Sequence, residues 1–402
     1  MLLRSTKLPA YRARLLERLG IYSKLVFKPN GVWIHAVSVG EVVAAVPLIK
    51  ALQSKYVAIP ITVTTMTPTG AQRVQQMLGN TVTHVYIPYD ISWCIVNLIK
   101  KIRPLCLIIM ETELWPNLLN TCKARSIPVI IANARLSDRS FPRYMRFRWF
   151  IQQMLRDITY VATQSELDTQ RFLQLGLDAN KITTVGNLKF EVQIDALQLQ
   201  AGKALKASIG ERLILVAAST HEGEEQLVLQ AFKQIHQSHP DCLLILIPRH
   251  PDRFNNVAEL LTQQQVNFIR RSSHANCTSD TTIILGDTMG ELYMYYAAAD
   301  VAFVGGSLVP VGGHNLLEPA AIGVPCITGS HLENFKDIAK LLTTAGLLQI
   351  VQDSAQLAQQ CLIWFKSAEL RSQVGNNAKQ ILLQNCGAVE KILGITHIYL
   401  IV

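Results

Sequence analysis
The stretch Val301–Thr328, VAFVGGSLVPVGGHNLLEPAAIGVPCIT, reads as a complete strand–turn–helix–strand unit. Val301–Val304 is a short apolar run closed by glycines, the pattern of a buried strand. Gly305, Gly306, Gly312 and Gly313 then lead into a helix expected from around Asn315, with Leu316 and Leu317 following and Glu318 in its first turn. Cys326–Thr328 is the next strand. A glycine-rich loop entering a helix can cradle phosphate with free amides and the helix dipole together. A glutamate one turn further on can accept hydrogen bonds from both hydroxyls of a ribose.

Outward from this unit the same alternation fills the chain. Strands are expected at Val32–Val37, Ile61–Thr65, Val82–Ile87, Leu105–Met110, Val129–Ala132 and Tyr160–Thr163, with helical patterns such as Val42–Gln53, Thr69–Leu78 and Trp93–Lys101 between them. The rhythm pauses over residues 186–201 and restarts at Leu213–Ala218, Leu243–Ile247 and Thr282–Leu285. Strand–helix alternation implies βαβ units around mainly parallel sheets. The fold class is therefore α/β, with two doubly wound Rossmann-like domains, residues 1–190 and 191–402, and an active site outside the carboxyl ends of the strands. The polar stretch Arg270–Asp280 is expected as a loop.

Bulk composition agrees. The 402 residues are 49% hydrophobic and 17% charged, which supports large cores and argues against disorder. The formal charge of +9 points to an anionic partner. Eight cysteines are scattered singly, with no metal-site spacing, and read as structural thiols. The first twenty residues carry Arg4, Lys7, Arg12, Arg14 and Arg18 among leucines, too charged for a signal sequence or a membrane span. They read either as a basic amphipathic segment on an anionic bilayer or as a solvated helix packing its leucines on the first domain.

Chemistry in such folds belongs in the turns after the strands. Ser38–Gly40 is a tight turn, and Glu41 opens the following helix, as a functional carboxylate or as a complement to the helix dipole. Glu111 ends an almost wholly apolar strand, a poor place for surface decoration, while Glu113 can cap the next turn. Arg135, Arg139, Arg143, Arg146 and Arg148 are interleaved with aromatics and can grip phosphates; no nucleic-acid motif accompanies them, so nucleic acid is not expected as a partner. Lys189 lies in the pause, where a lone lysine is usually solvated. Pro248 and Arg249 end a buried strand, a natural place for a phosphate-gripping guanidinium, and Met289, Gly290 and Glu291 lead into another helix.

Taken together, SVGEV, ETELWPN, NARLSDRS, TQSELD, GNLKF, ASTHEGEE, IPRHPDR, DTMGELYMYYAAADVAFVGGS and GGHNLLEPAAIGVP resemble the 3-deoxy-D-manno-octulosonic acid (Kdo) transferases in order and spacing, from about residue 8 to residue 390. The resemblance implies a GT-B fold and an inverting transfer without metal or cofactor from CMP-Kdo to a lipid A precursor, the tetraacyl disaccharide bisphosphate. It implies Glu41 as general base, with Glu111 and Lys189 stabilising the transition state. Pro248–Arg249, Met289–Glu291 and Asn315–Glu318 match its CMP-binding segments. It implies a peripheral position on the cytoplasmic face of the bacterial inner membrane, an anionic surface. Family members usually begin with a hydrophobic anchor helix ahead of the basic segment, so the resemblance implies either an anchor outside this sequence or attachment through the basic amphipathic start. The competing readings are a UDP-sugar GT-B transferase or epimerase, and a non-catalytic anionic-lipid-binding protein.

Overall fold
The computed structural model describes residues 14–22, 26–192 and 194–400. The chain divides into two compact units, one reaching Glu191 and taking back the chain from Asn385, the other spanning Val192–Gln384. Each unit holds one seven-stranded parallel sheet.

In the first unit the strands are β1 (Val32–His35), β2 (Ile61–Thr65), β3 (Thr83–Tyr86), β4 (Cys106–Met110), β5 (Val129–Ala134), β6 (Tyr160–Thr163) and β7 (Ile182–Thr184), in the order β3-β2-β1-β4-β5-β6-β7. Val32 pairs with Ile61 on one side and Cys106 on the other, so the winding reverses between β1 and β4. Every residue of CLIIM in β4 is buried, because helices cover both faces of the sheet and leave no polar side to alternate. Two apolar clusters, one per face, fill the layers.

The second unit contains β8 (Ile214–Thr220), β9 (Leu243–Pro248), β10 (Phe268–Arg270), β11 (Ile283–Leu285), β12 (Val301–Val304), β13 (Cys326–Thr328) and β14 (Leu348–Ile350), ordered β10-β11-β9-β8-β12-β13-β14. Its reversal falls between β8 and β12. Three strands that the apolar rhythm does not mark, β7, β10 and β14, are edge strands of three residues each. An edge strand covers less core, so its sequence carries less apolar signal. Arg270, expected in a loop, ends β10, and the turn Arg271–Ser273 follows before the loop begins.

The end of the chain departs from the 191–402 assignment. The helix Ala388–His397 packs on the helix Val39–Lys55, and Ala388, Val389, Ile392 and Leu393 join the core of the first unit. The carboxylate of Glu191 receives the amides of Gly387 at 2.6 Å and Val389 at 3.3 Å. Amphipathic packing decides this placement, since the apolar face of the helix finds its complement in the core of the first unit, against the helix Val39–Lys55.

Of the basic start, Arg4, Lys7 and Arg12 lie outside the described residues. Arg18 is buried, donates to the Met66 carbonyl at 2.9 Å and stacks over Tyr86, while Arg14 donates to the His84 carbonyl at 2.9 Å. Leu15, Leu16 and Leu19 face solvent. The arginines, rather than the leucines, fasten this segment to the protein.

Candidate active site
In the first unit the turns after β1 and β4 flank the reversal of winding, where open α/β sheets bind ligands. Glu41 is the third residue of the helix Val39–Lys55 and closes a capping box with Ser38. One carboxylate oxygen accepts from the Val37 amide at 2.8 Å; the other accepts from the Ser38 amide at 3.2 Å and the Ser38 hydroxyl at 2.8 Å. The side chain is buried, and burial pushes the carboxyl up to about 7. The hydrogen bonds from the Val37 amide and the Ser38 hydroxyl pull it back in part, while the charges of Glu111 and Glu113 push it further up.

Glu111 follows β4 directly, with φ +57°, a left-handed conformation that disfavours side chains. Strain of this kind at a strand end marks a position where side-chain direction outweighs backbone ease. Glu113 takes the indole of Trp115 on its carboxylate at 2.8 Å rather than capping a turn. The Trp115 ring stands edge-on to His35, 5.3 Å between centroids. His35 is fully buried, bonded through Nδ1 to Thr64 Oγ1 at 3.0 Å and unpartnered at Nε2, and burial lowers its imidazole to about 4.

Lys189 is not a loose linker residue. It sits in the single turn Leu188–Phe190, which packs on the Val39–Lys55 helix that carries Glu41. Buried Leu188 and Phe190 anchor the turn on either side of Lys189, and the Leu188 amide donates to Asn133 Oδ1 at 2.9 Å. Asn133, at φ +57°, occupies the bulged end of β5. The arginine–aromatic stretch forms two short helices, Phe141–Arg146 and Arg148–Arg156, exposing Arg143, Arg146 and Arg148 beside Phe147, Trp149 and Phe150.

In the second unit Pro248 ends β9, and the Arg249 amide donates to the Thr220 carbonyl at 3.0 Å. The guanidinium of Arg249 acts on Glu318, whose carboxyl burial pushes up to about 7 while the Asn315 amide (3.3 Å) and Arg249 hold it down. The helix Leu292–Ala298 packs against the helix Leu317–Ile322, with Tyr293 and Tyr296 close to Glu318. Arg249, Asn315 and Glu318 are thereby brought together, with Tyr293 and Tyr296 beside them.

Three features differ from the sequence reading. The helix expected from Asn315 begins at Leu317 and runs only to Ile322; Asn315 Oδ1 instead caps the Leu317 amide at 3.2 Å. Leu316 and Leu317 have fully buried side chains, so only their backbone can meet a ligand. The amides of Gly306, Ser307 and Leu308, a ready phosphate cradle, are filled by the protein's own Glu224 carboxylate at 2.6, 2.9 and 2.8 Å. Glu291 is likewise engaged, by Arg271, Thr288 and Tyr295. Burial raises its carboxyl, and these partners more than offset that, holding it below the ordinary range. Met289 is exposed and Gly290 turns at φ +85°, a conformation natural to glycine.

Sequence reasoning passed over the segment following β8, whose ASTHEGEE it used only for the resemblance. Besides Glu224, this segment holds Glu225, buried and accepting from Thr220 Oγ1 at 2.8 Å and from the two terminal guanidinium nitrogens of Arg253 at 2.6 and 3.0 Å. Two adjacent glutamates opening a helix three residues past a buried strand are the signal that could have found them.

Two doubly wound units, each built on a seven-stranded parallel sheet, define a GT-B-type glycosyltransferase architecture. MurG of Acinetobacter baumannii shares the fold at TM-score 0.55 and 13% identity, over 92% of this chain and 99% of that one. Residues 203–381 match the glycosyl transferases group 1 family, and residues 13–192 match the 3-deoxy-D-manno-octulosonic-acid transferase (kdotransferase) family. The chain is 42% identical to the 3-deoxy-D-manno-octulosonic acid transferase of Haemophilus influenzae, over 98% of this chain and 93% of that one. It is 34% identical to the corresponding transferase of Bordetella pertussis, over 90% and 86%. The chain belongs to the Kdo transferase family.

Proposed function
We propose that this transferase moves Kdo from CMP-Kdo to a lipid A precursor, the tetraacyl disaccharide bisphosphate, releasing CMP with inversion, and that Glu41 is the general base. The observation that carries the reading is Glu41 itself, a buried carboxyl raised to about 7 beside the β1–β4 reversal. A base whose affinity for protons lies near the operating pH takes a hydroxyl proton most effectively. As that proton passes to Glu41, the acceptor oxygen bonds to the anomeric carbon and the carbon–oxygen bond to the CMP phosphate breaks. Arg249 receives the charge on the departing phosphate, an electrostatic task that suits a guanidinium at a strand end.

Glu111 and Lys189 act on the oxocarbenium-like transition state, Glu111 by opposing positive charge and Lys189 by answering negative charge. Glu318 accepts hydrogen bonds from the ribose of CMP, and the backbones of Met289–Glu291 and Asn315–Leu317 line the nucleotide. The acceptor's place at an anionic membrane surface, the cytoplasmic face of the inner membrane, is supported by exposed Phe147, Trp149 and Phe150 among arginines. No helix among the described residues is long and apolar enough to cross a membrane. Incubation with CMP-Kdo and the tetraacyl precursor, followed by mass analysis of the lipid, tests the proposal. A lipid heavier by Kdo, with matching CMP release, is expected. Absence of both, where the Haemophilus influenzae relative turns over, overturns it.

A further inference from the structure
Three imidazoles in the second unit come from three turns at strand carboxyl ends and meet. His221 follows β8, His250 follows β9, and His314 lies in the glycine-rich loop after β12. The rings of His221 and His314 stack, 5.0 Å between centroids and 9° from parallel, with their Nε2 atoms 2.8 Å apart. His250 stands edge-on to His221 at 5.3 Å. Two ring nitrogens at that separation hold one proton between them. The loop is shaped around the pair: at Gly306, φ +68°, a Cβ would come within 2.9 Å of His314 Cδ2 and 3.5 Å of His221 Cδ2. Among the described residues no group of three or more His, Cys, Asp or Glu side chains is arranged to hold a metal ion.

The cluster borders the nucleotide residues on both sides. His250 follows Arg249 in the chain, and His314 precedes Asn315. Kdo is a 2-keto acid sugar, so in CMP-Kdo its carboxylate hangs on the same carbon as the phosphate and must lie beside the phosphate contact. We propose that His221, His250 and His314 form the subsite for that carboxylate, an inference that rests on the CMP-Kdo reading above and deepens it.

The two carboxylates that act most directly on the His221 ring are already engaged within the protein. Glu224 is satisfied by the His221 amide at 3.0 Å together with the loop amides, and Glu225 by Arg253. The other charged groups of these turns are Arg249, Glu222 and Asp252 on the β8 and β9 turns, and Glu318 beyond the loop. Burial lowers the His221 imidazole below its ordinary value, with Arg253 and His250 adding to the effect and Glu224 and Glu225 opposing it. A bound carboxylate favours the imidazolium, so recognition of the acid takes up a proton and strengthens as pH falls.

Calorimetry of the full chain with CMP and with CMP-Kdo, without acceptor, tests this. Replacing histidine by glutamine keeps a hydrogen-bonding side chain without the titrating proton. His221→Gln and His314→Gln should each weaken CMP-Kdo by about tenfold and leave CMP within about twofold. Arg249→Ala should weaken both ligands. In the unaltered protein the preference for CMP-Kdo over CMP should grow from pH 8 to pH 6. Equal loss of both ligands in the histidine variants, or a preference independent of pH, overturns the subsite while leaving the nucleotide reading intact. Failure of the unaltered protein to bind CMP overturns the nucleotide reading, and this one with it.

Discussion

A carboxylate offers about four lone-pair sites, and at Glu41 three are taken by the Val37 amide, the Ser38 amide and the Ser38 hydroxyl. The dipole-complementing role and the catalytic role therefore do not exclude each other: the cap fixes the side chain, and one site remains for a substrate proton. Glu41→Gln should lower kcat by at least about 100-fold and leave CMP affinity within about twofold, because no residue of the proposed CMP segments lies in the first unit. Steady-state rates and calorimetry check both halves, and near-unchanged turnover would remove Glu41 from its role. The pH profile carries the same logic. A carboxyl raised from 4.5 to about 7 is protonated and idle at low pH, so kcat/KM should climb to a plateau with an acid limb near 7. For stability the sign is opposite. The folded protein holds this proton more tightly than the unfolded chain, so Glu41 costs nothing below pH 4.5 and progressively more as pH rises to about 7.

The glycine-rich loop after β12 shows how one element is held by another. Its amides at Gly306, Ser307 and Leu308 would be orphaned without the wholly buried Glu224 carboxylate at the start of the next helix over, Glu224–Ser238. Glu224→Ala should therefore destabilise the protein by about 3 kcal/mol or more, read from chemical denaturation, and weaken CMP-Kdo with it. Unchanged stability would mean that the loop finds other acceptors. Legibility at this scale followed burial. Strands covered on both faces, such as CLIIM and LLILIP, announce themselves by unbroken apolar runs. ITT, FIR and LQI at the edges do not, because edge strands are less completely covered than central ones. The helix expected from Asn315 starts two residues late because the Asn315 side chain closes its own turn with the Leu317 amide, a local competition that composition does not reveal.

Across the whole molecule, the last helix is the element that chain order misassigns. Val389, Ile392 and Leu393 are buried in the first unit and contribute about 2 kcal/mol each by removal from water, before entropy is counted. Ending the chain after Gln384 should therefore strip hydrogen-exchange protection from the helix Val39–Lys55 while leaving β8 and β9 protected. Equal losses in both units would show that the tail stabilises them jointly. What the sequence by itself determined was periodicity and chemistry: two parallel α/β units, turns after strands as the places for function, and Glu41, Glu111, Arg249 and Glu318 at such turns. These follow from neighbours along the chain, where apolar spacing and glycine placement act. Tertiary structure decided which groups were already spoken for and which were joined. The Gly306–Leu308 amides went to Glu224, Glu291 went to Arg271, Lys189 was seated beside the Glu41 helix, and three histidines from distant turns came together. Hydrogen bonds and charges act over a few ångströms of space, and for these residues that space is set by sheet order, not by position in the chain.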